Sequence, residues 1–368
     1  MEILSVSVAK GIYPASESDR DTNPGASLAN YKVVHKGDVV YNSMRMWQGA
    51  VGSSDYDGIV SPAYVVARPA IELDSTCFGY LLKRPEMLYK YLCDSQGNSK
   101  DTQTLKYNRF ADIEVTMPAN LEEQRVISAC LGRVDTLITL HQRKYDKLCT
   151  VKKSMLDKMF PKLGETEPEI RFEGFTDPWE QRKLGSIAAS FDYGLNAAAT
   201  EYDGQNKYLR ITDIDDTTHE FLKSDLTTPL ADLAMSADYL LEEGDLLFAR
   251  TGASVGKTYL YRQYDGTVYF AGFLIRVRIG ESADPEFVYQ ATLTDAYKKY
   301  VAITSQRSGQ PGVNAQEYAD YQLMLPSRTE QQQIGMTLRS LDNLITLHQR
   351  KLELLRNIKK SLLDRMFV

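Results

Sequence analysis

Apolar side chains recur at alternating steps of four and three residues in two long stretches of the chain, 127–159 and 334–366. This spacing is typical of a coiled-coil seam and predicts two long helices. Each helix of about 40 residues would be about 60 Å long. Polar residues complete the spacing at four seam positions, namely His141, Lys152, His348 and Lys359.

The segments outside these helices have the pattern of short strands. KTYLYRQYDGTVYF, from Lys257, is rich in β-branched and aromatic residues and is broken by Asp265-Gly266, so it predicts a β-hairpin. Pro118 and Pro326 mark the change from strand to helix. Ser327 and Glu330 then have the spacing of a capping box, and Asn120 and Glu123 are a looser version of it.

The chain repeats itself with an offset of 207 residues. DTLITLHQRKYDKLCTVKKSMLDKMF at 135–160 matches DNLITLHQRKLELLRNIKKSLLDRMF at 342–367, and KGDVVYNS, from Lys36, matches EGDLLFAR, from Glu243. Two copies of a β-rich domain followed by a long helix predict an α/β (α+β) fold with an internal pseudo-twofold repeat. The two helices are expected to form an antiparallel coiled coil that separates the domains. The expected segments are a first domain at 1–118, a helix at 119–160, a linker at 161–185, a second domain at 186–325 and a helix at 326–368.

Two features of the predicted helices have alternative interpretations. Antiparallel pairing would bring His141 and His348 close, where a structural or register-setting contact is favoured over catalysis. KYDKLCTVKK, from Lys144, and KLELLRNIKK, from Lys351, are rich in basic residues. Each forms either a solvated face or a docking face for a partner protein.

ARTGASVGKTYLY, at 249–261, resembles a phosphate-binding loop only superficially. Three residues separate Gly252 from Gly256, whereas that loop needs four and is followed by a helix. The matching stretch of the first copy, QGAVGS from Gln48, lacks the lysine. The sequence therefore favours a glycine-containing turn between two strands over a nucleotide-hydrolysing site.

Composition and charge restrict the class of protein further. A hydrophobic content of 43%, a charged content of 25% and a net charge of −6 indicate a soluble globular chain and argue mildly against a simple basic nucleic-acid binder, although local patches remain possible. MEILSVSVAK contains Glu2 and Lys10, so it is not a signal peptide, and we expect a cytoplasmic protein. The four cysteines form no C-x-x-C pair and the four histidines are far apart, so no metal or cofactor is expected.

Several segments together resemble the specificity subunit of type I DNA restriction-modification systems. They are RFEGFTDPWEQRKLGSI from Arg171, LPSRTEQQQI from Leu325, the paired LITLHQRK helices and the two-copy layout, which together cover nearly the whole chain. The resemblance implies a non-catalytic DNA reader whose two target-recognition domains each read half of a split target. It also implies that the helices fix the gap between the half-sites and contact two modification (methyltransferase) subunits. Those subunits methylate adenine, and restriction subunits join them in the full complex.

The loops between strands are the expected DNA contacts under this resemblance. Arginine, lysine, glutamine, asparagine and serine side chains hydrogen-bond to base edges and phosphates, and Arg45 has the geometry to bind guanine with two hydrogen bonds. The alternative is that these are ordinary polar surface loops. The predicted DNA-binding residues are Ser43, Arg45, Trp47, Gln48, Asn98 and Lys100 in the first domain and Arg250, Thr251, Ser254, Lys257, Gln306, Arg307, Ser308 and Gln310 in the second.

The first copy departs from the family pattern at its beginning. About forty residues of the second copy, counting back from Lys207 towards Thr166, have no counterpart before MEILSVSVAK. We expect an unpaired strand edge or an uncovered core in the first domain. A shortened gene start, a recombined gene fragment and a domain completed by another chain all remain open. The rival function is a DNA-independent adaptor, in which the coiled coil displays two β-rich modules that bind proteins or glycans.

Overall fold

The computed structural model describes residues 1–18, 28–97, 99, 103–162, 164–307 and 309–367. The chain divides into two compact units. Unit 1 contains residues 1–142 and 350–368, and unit 2 contains residues 143–349. Each long helix therefore contributes part of its length to each unit.

Unit 1 contains short strands, short helices, the first part of one long helix and the last part of the other. A four-stranded sheet has the order β2-β1-β6-β3, with β1 and β6 parallel, and a three-stranded sheet has the order β5-β4-β7. The elements are β1 (Glu2–Ser7), β2 (Gly11–Pro14), β3 (Lys32–Val34), β4 (Val39–Asn42), β5 (Val51–Ser53), β6 (Gly58–Val60), β7 (Tyr64–Ala67), α1 (Ser75–Leu81), α2 (Pro85–Asp94), α3 (Tyr107–Ala111) and α4 (Leu121–Met159).

Unit 2 is built around a four-stranded sheet of order β14-β13-β16-β9, with smaller pairs β11-β15, β10-β12 and β17-β8. Its core lies on the face of that sheet where Leu246, Phe248 and Ile275 are fully buried. The elements are β8 (Glu180–Lys183), α5 (Leu184–Ile187), β9 (Ala188–Tyr193), β10 (Ala199–Glu201), β11 (Lys207–Leu209), β12 (Thr227–Pro229), β13 (Leu246–Ala249), β14 (Thr258–Leu260), β15 (Val268–Phe270), β16 (Leu274–Ile279), α6 (Pro285–Ala291), α7 (Asp295–Thr304), α8 (Ala315–Ala319), β17 (Gln322–Leu325) and α9 (Arg328–Met366).

The two long helices are α4 and α9, of 39 residues each, where the sequence predicted 119–160 and 326–368. Within unit 1 they run antiparallel, since Asp135 pairs with Lys359 while Gln142, further along α4, pairs with Arg356. The apolar seam is the least exposed stripe of both helices, with Leu131 and Leu338 fully buried. The predicted fold class, two β-rich domains with an antiparallel helix pair, is confirmed.

A buried glutamine near the start of each long helix ties it to the domain beside it. The side-chain carbonyl oxygen accepts a hydrogen bond from the backbone N–H of the aspartate that caps a short domain helix, at 2.8 Å in both units. The side-chain amide donates to the carbonyl oxygen of the proline that precedes the helix. The contacts are Gln124 with Asp74 and Pro118, and Gln331 with Asp284 and Pro326.

The predicted capping box at the start of α9 is only half formed. Ser327 Oγ accepts a hydrogen bond from the Glu330 N–H at 3.4 Å. The Glu330 carboxylate does not return a bond to Ser327, because it accepts two hydrogen bonds from the Arg171 guanidinium, at 2.9 and 2.7 Å. A distant arginine therefore replaces the local partner that the spacing predicted.

The predicted β-hairpin in KTYLYRQYDGTVYF is wrong in its pairing. Both strands exist, as β14 and β15, and Gly266 between them has a φ of +76°. However, β14 pairs with β13 and β15 pairs in parallel with β11, in separate sheets. The partner of β15 is a strand about sixty residues upstream, which local turn chemistry does not indicate.

The repeat is visible in the strands, but it is incomplete. Strands β4 to β7 correspond to β13 to β16, and the parallel pair β1-β6 corresponds to β11-β15. The elements β8, α5 and β9 have no counterpart among the described residues of unit 1. There β7 pairs with β4 alone, so its outer edge is the unpaired edge that the sequence led us to expect.

No helix in the described part of the chain is long and apolar enough to cross a membrane.

Candidate nucleic-acid interface

The glycine-containing stretch at 250–257 is a tight turn between strands β13 and β14, as the sequence predicted. Gly252 and Gly256 have φ values of +71° and +83°, a region that side chains with a Cβ rarely adopt. A Cβ on Gly256 would also come within 2.5 Å of the Val301 side chain. Because a strand and not a helix follows, the backbone N–H groups do not form a phosphate-binding loop.

The second predicted loop of this domain is SQRSGQPGVN, from Ser305, and its residues Pro311, Gly312 and Val313 lie directly against this turn. The Val313 N–H donates to the Arg250 carbonyl oxygen at 2.9 Å, and the Gly252 N–H donates to the Pro311 carbonyl oxygen at 3.0 Å. Thr251 forms an isolated bridge with Gly312. The structure therefore brings the two loops predicted for the second domain into one surface.

Arg250 is held between two partly exposed aromatic rings at the edge of this surface. Its guanidinium carbon lies 5.2 Å from the ring centre of Tyr193 and 5.9 Å from that of Phe273. Its Nε donates to the Gly272 carbonyl oxygen at 2.9 Å. Phe273 is 56% exposed and Tyr193 46%, so the rings present apolar faces beside a fixed cation. Exposed rings with an arginine are suited to contact with nucleic-acid bases.

A cavity of about 550 Å³ adjoins these rings and includes Asn196, Arg210 and Thr212 in its lining. Arg210 donates two hydrogen bonds of 2.8 Å to Asp213, and this bonding raises the pKa of Arg210. Its orientation is therefore fixed. Tyr193, Asn196 and Phe273 were not among the residues predicted from the sequence.

Two of the predicted cations in unit 2 already have carboxylate partners. The Lys257 ammonium pairs with Asp216, and the Arg307 guanidinium pairs with Glu317. Arg307 also donates to the Thr304 carbonyl oxygen at 2.8 Å. A DNA phosphate would have to compete with these contacts, whereas Arg250 has no ion pair with any described residue.

The remaining predicted residues of unit 2 differ in exposure. Gln306 and Gln310 are exposed beside the turn, and Thr251 and Ser254 are half-buried within it. The Gln310 amide approaches Gly252, where an added Cβ would lie 2.8 Å from its nitrogen. Ser308 lies outside the described residues.

Unit 1 has the same backbone arrangement of its two loops as unit 2, but with different side chains. The Leu105 N–H donates to the Ser43 carbonyl oxygen at 2.8 Å, as Val313 does to Arg250. Ser43 Oγ donates to the Ala63 carbonyl oxygen at 2.9 Å. Equivalent positions of the repeat thus hold Ser43 and Ala63 in unit 1, where unit 2 has Arg250 and Phe273.

Arg45, Trp47 and Gln48 lie at a short 3-10 turn, Met46–Gln48. Arg45 and Gln48 are exposed, and Arg45 makes no ion pair within the described part of the chain. The Trp47 ring packs against the core and is half-buried, with its Nε1 buried and without a hydrogen-bond partner among described residues. Asn98 and Lys100 lie outside the described residues.

Residues 176–357 match the family model for the type I restriction modification DNA specificity domain. Over 96% of its length the chain is similar to the type I restriction enzyme MjaVIII specificity subunit of Methanocaldococcus jannaschii, with 23% identity and 85% of that protein covered. Residues 176–357 therefore belong to the family of type I restriction modification DNA specificity domains. The crystal structure of the type I restriction-modification system S subunit from M. genitalium has the same fold, with a TM-score of 0.62 and 16% identity, over 92% of this chain and 84% of that one.

A role in DNA sequence specificity follows from these matches. The predicted contact residues remain predictions, because the likeness to the solved structure extends to the fold alone. In a specificity subunit, side chains that differ between the two units at equivalent backbone positions are expected to contact base edges.

Proposed function

We propose that the chain reads a bipartite DNA target, with one half-site for each β-rich domain and a fixed number of unread base pairs between them. The observation that carries this proposal is that the two units share one backbone arrangement of their loops but have different side chains at equivalent positions. Both units place two loops together through the same backbone hydrogen bond, while Arg250 and Phe273 in one unit are Ser43 and Ala63 in the other. Two readers of one design with different contact surfaces suit an asymmetric target.

The side chains of the candidate interface in unit 2 are suited to contact base edges as well as phosphates. Arginine binds the O6 and N7 atoms of guanine through two parallel hydrogen bonds, and Gln306 and Gln310 carry the amides that bind adenine in the same way. Tyr193 and Phe273 add faces for apolar contact or stacking. Phosphate contacts then fix register and supply salt-dependent affinity.

The chain acts in this proposal through partner proteins, and it is not itself an enzyme. Two modification subunits methylate adenine, and restriction subunits join them for cleavage. Exposed leucines off the seam support docking on the long helices. Leu137 and Leu140 of α4 and, at the repeat-equivalent positions, Leu344 and Leu347 of α9 are each 43–46% exposed. A helix with apolar residues outside its own seam is suited to bind a partner helix.

The decisive experiment uses the chain co-expressed with its neighbouring modification subunit. The complex is mixed with a random-sequence duplex pool, and the bound DNA is recovered and sequenced. We expect enrichment of two short motifs at one fixed spacing, with affinity that falls as salt concentration rises. A stable complex that enriches no sequence would contradict DNA reading and would favour the adaptor function.

A further inference from the structure

Arg210 follows directly after strand β11 and lines the cavity beside Tyr193 and Phe273. The backbone just before it is firmly held in the core of unit 2. Leu209 is fully buried, and its carbonyl oxygen accepts a hydrogen bond from the Ala271 N–H at 2.9 Å. A side chain that starts at the end of a buried strand is positioned more precisely than one on a free loop.

The Asp213 carboxylate holds the Arg210 guanidinium in one orientation. One carboxylate oxygen accepts hydrogen bonds from Arg210 Nε at 2.8 Å and from the Arg210 backbone N–H at 3.0 Å. The other accepts from Nη2 at 2.8 Å and from Thr212 Oγ1 at 3.1 Å. The Asp213 side chain is 13% exposed and the Arg210 side chain 35%. The carboxylate is therefore fixed inside the fold, while part of the guanidinium reaches solvent.

The outer edge of the Arg210 guanidinium is free to donate. The bonds to Asp213 use the edge formed by Nε and Nη2, and Nη1 has no hydrogen-bond partner within the part of the chain that the structure describes. Nη1 and the second N–H of Nη2 form a planar pair of donors. Such a pair matches a flat partner that carries two neighbouring acceptors.

The charges around Arg210 disfavour a phosphate as that partner. The hydrogen bonds from Asp213 raise the pKa of Arg210, and the charge of the exposed Asp225 acts in the same direction, so a second carboxylate lies near the guanidinium. Two carboxylates beside one guanidinium leave it no uncompensated positive charge to attract a phosphate. A neutral base edge requires only donors of fixed orientation, which Asp213 provides.

Guanine is the base that fits this pair of donors. Its major-groove edge presents two acceptors, O6 and N7, whereas adenine places a donor beside N7, cytosine presents a donor and thymine presents one acceptor. Arg210 and Arg250 are the charged side chains in the described lining of the cavity. Since no carboxylate belongs to that lining, it contains no charged acceptor for the amino group of adenine or cytosine.

We propose that Arg210 is a specificity-determining residue of unit 2 that binds one guanine in the major groove, and that Asp213 is the positioning residue that orients it. This inference rests on the proposed reading of DNA by the chain. Arg210 donates from Nη1 and Nη2 to O6 and N7 of that guanine. Asp213 occupies the opposite edge of the guanidinium and touches no base.

The test starts from the duplex that is selected by the full chain in complex with its neighbouring modification subunit. The selection is repeated with Arg210→Lys, which keeps the charge and loses the planar pair of donors. We expect the preference for one guanine to fall about 5- to 150-fold, while the preferences at all other positions remain. The retained preferences show that the variant is folded and bound.

A modified base then tests the contact itself. 7-Deazaguanine lacks the N7 acceptor, and at the affected guanine it should weaken binding of the wild-type complex about tenfold. It should leave binding by Arg210→Ala unchanged, since that variant has already lost the contact. The same modified base at a guanine between the two half-sites is the control and should have no effect on either protein.

A matched pair of acidic variants tests the role of Asp213. Asp213→Asn removes one of the two acceptors and one negative charge. Discrimination at the guanine should fall about tenfold, while affinity for unrelated duplexes should rise because phosphates are repelled less. Asp225→Asn removes the same charge near Arg210 and is not one of its hydrogen-bond partners. It should raise affinity for unrelated duplexes without changing discrimination.

Four results would overturn the inference while the complex still selects a sequence, so that the proposed function stands. They are unchanged discrimination by Arg210→Lys, selected half-sites that contain no guanine, equal discrimination by Asp213→Asn and Asp225→Asn, and equal weakening of all duplexes by Arg210→Ala. The last result would make Arg210 a phosphate contact. A complex that selects no sequence at all would overturn both the inference and the proposed function.

Discussion

The carboxylate of Asp135 lies 2.6 Å from the ammonium nitrogen of Lys359, which joins α4 to α9 within unit 1. The repeat-equivalent residues, Asp342 and Lys152, form the same ion pair within unit 2. Each aspartate also accepts a hydrogen bond from the domain beside it. Tyr80 donates to Asp135 at 2.7 Å, and Gln290 donates to Asp342 at 2.8 Å. One carboxylate thus connects both helices and a domain in each unit.

Reversing the charge at one end of this pair is expected to destabilise unit 1. Asp135→Lys should lower the free energy of unfolding by about 1 kcal/mol, because the pair is partly exposed and repulsion replaces attraction. The double variant Asp135→Lys with Lys359→Asp should recover part of that loss. Urea unfolding of the two single variants and the double variant measures the coupling. Strict additivity would show that the pair contributes nothing.

Removing the side chain of Gln331, the glutamine that anchors α9, is expected to lower the free energy of unfolding by more than the charge reversal does. Gln331→Ala leaves the Asp284 N–H without its acceptor and the Pro326 carbonyl oxygen without its donor. The expected loss is about 1–3 kcal/mol of unfolding free energy, measured by chemical denaturation. Gln332→Ala, the exposed neighbour, is the control and should change stability by less than about 0.5 kcal/mol. Equal effects of the two variants would contradict the anchoring role.

Arg250 and Lys257 are expected to differ in their effect on DNA binding. Arg250→Ala should weaken binding to the selected target by about 1–3 kcal/mol and relax specificity at one position, because its guanidinium is fixed at the surface. Lys257→Ala should have the smaller effect, since Asp216 already occupies its ammonium group. Binding curves on target and non-target duplexes distinguish the two. A larger loss for Lys257→Ala would place the interface elsewhere.

His219 is expected to make unit 2 sensitive to mild acid. Burial lowers the pKa of His219 below its ordinary value of 6.5, and the charges of Lys152 and Lys298 lower it further, against the hydrogen bond between Nδ1 and the Thr258 carbonyl oxygen. The unfolded chain therefore takes up a proton before the folded chain does. Neutral His219 contributes its full stabilisation of the folded state at pH values above its pKa in the unfolded chain. This contribution is lost as pH falls through the pKa of His219 in the folded chain.

The measurement is urea unfolding of the wild type and of His219→Gln at about pH 7.5 and about pH 5, on either side of an ordinary histidine pKa. The wild type should lose more stability than the variant over this range. Other titrating groups are common to both proteins, so they cancel in the comparison. Parallel pH profiles would contradict a lowered pKa at His219.

The long helices were predictable because their signal is local and repeated. The seam from Ile127 to Met159 has one spacing throughout, and α4 follows it from Leu121 to Met159. The pairing of β15 with β11 was not predictable, since it depends on a contact between distant segments. The Arg171–Glu330 pair was missed for the same reason, although Glu330 itself was recognised at the helix start.

The candidate site also has features that the sequence predicted and features that it did not. The internal repeat indicated which loops to examine, and the backbone joins them through Arg250 and Val313. Tyr193 and Phe273 were missed because they come from separate elements and are two among 23 tyrosines and 12 phenylalanines, many of which are buried. The engagement of Lys257 by Asp216 depends on a loop about forty residues upstream. Spacing alone carries no information on such partners.

The anchoring glutamines have a consequence for how such chains diversify. Gln124 and Gln331 each form hydrogen bonds with only one backbone N–H at a helix cap and one proline carbonyl oxygen. Neither group depends on the loops that differ between the units. The LITLHQRK stretch is identical in both helices. A domain of unrelated loop sequence that keeps these two groups can therefore be held by the same helices without a change in the fold.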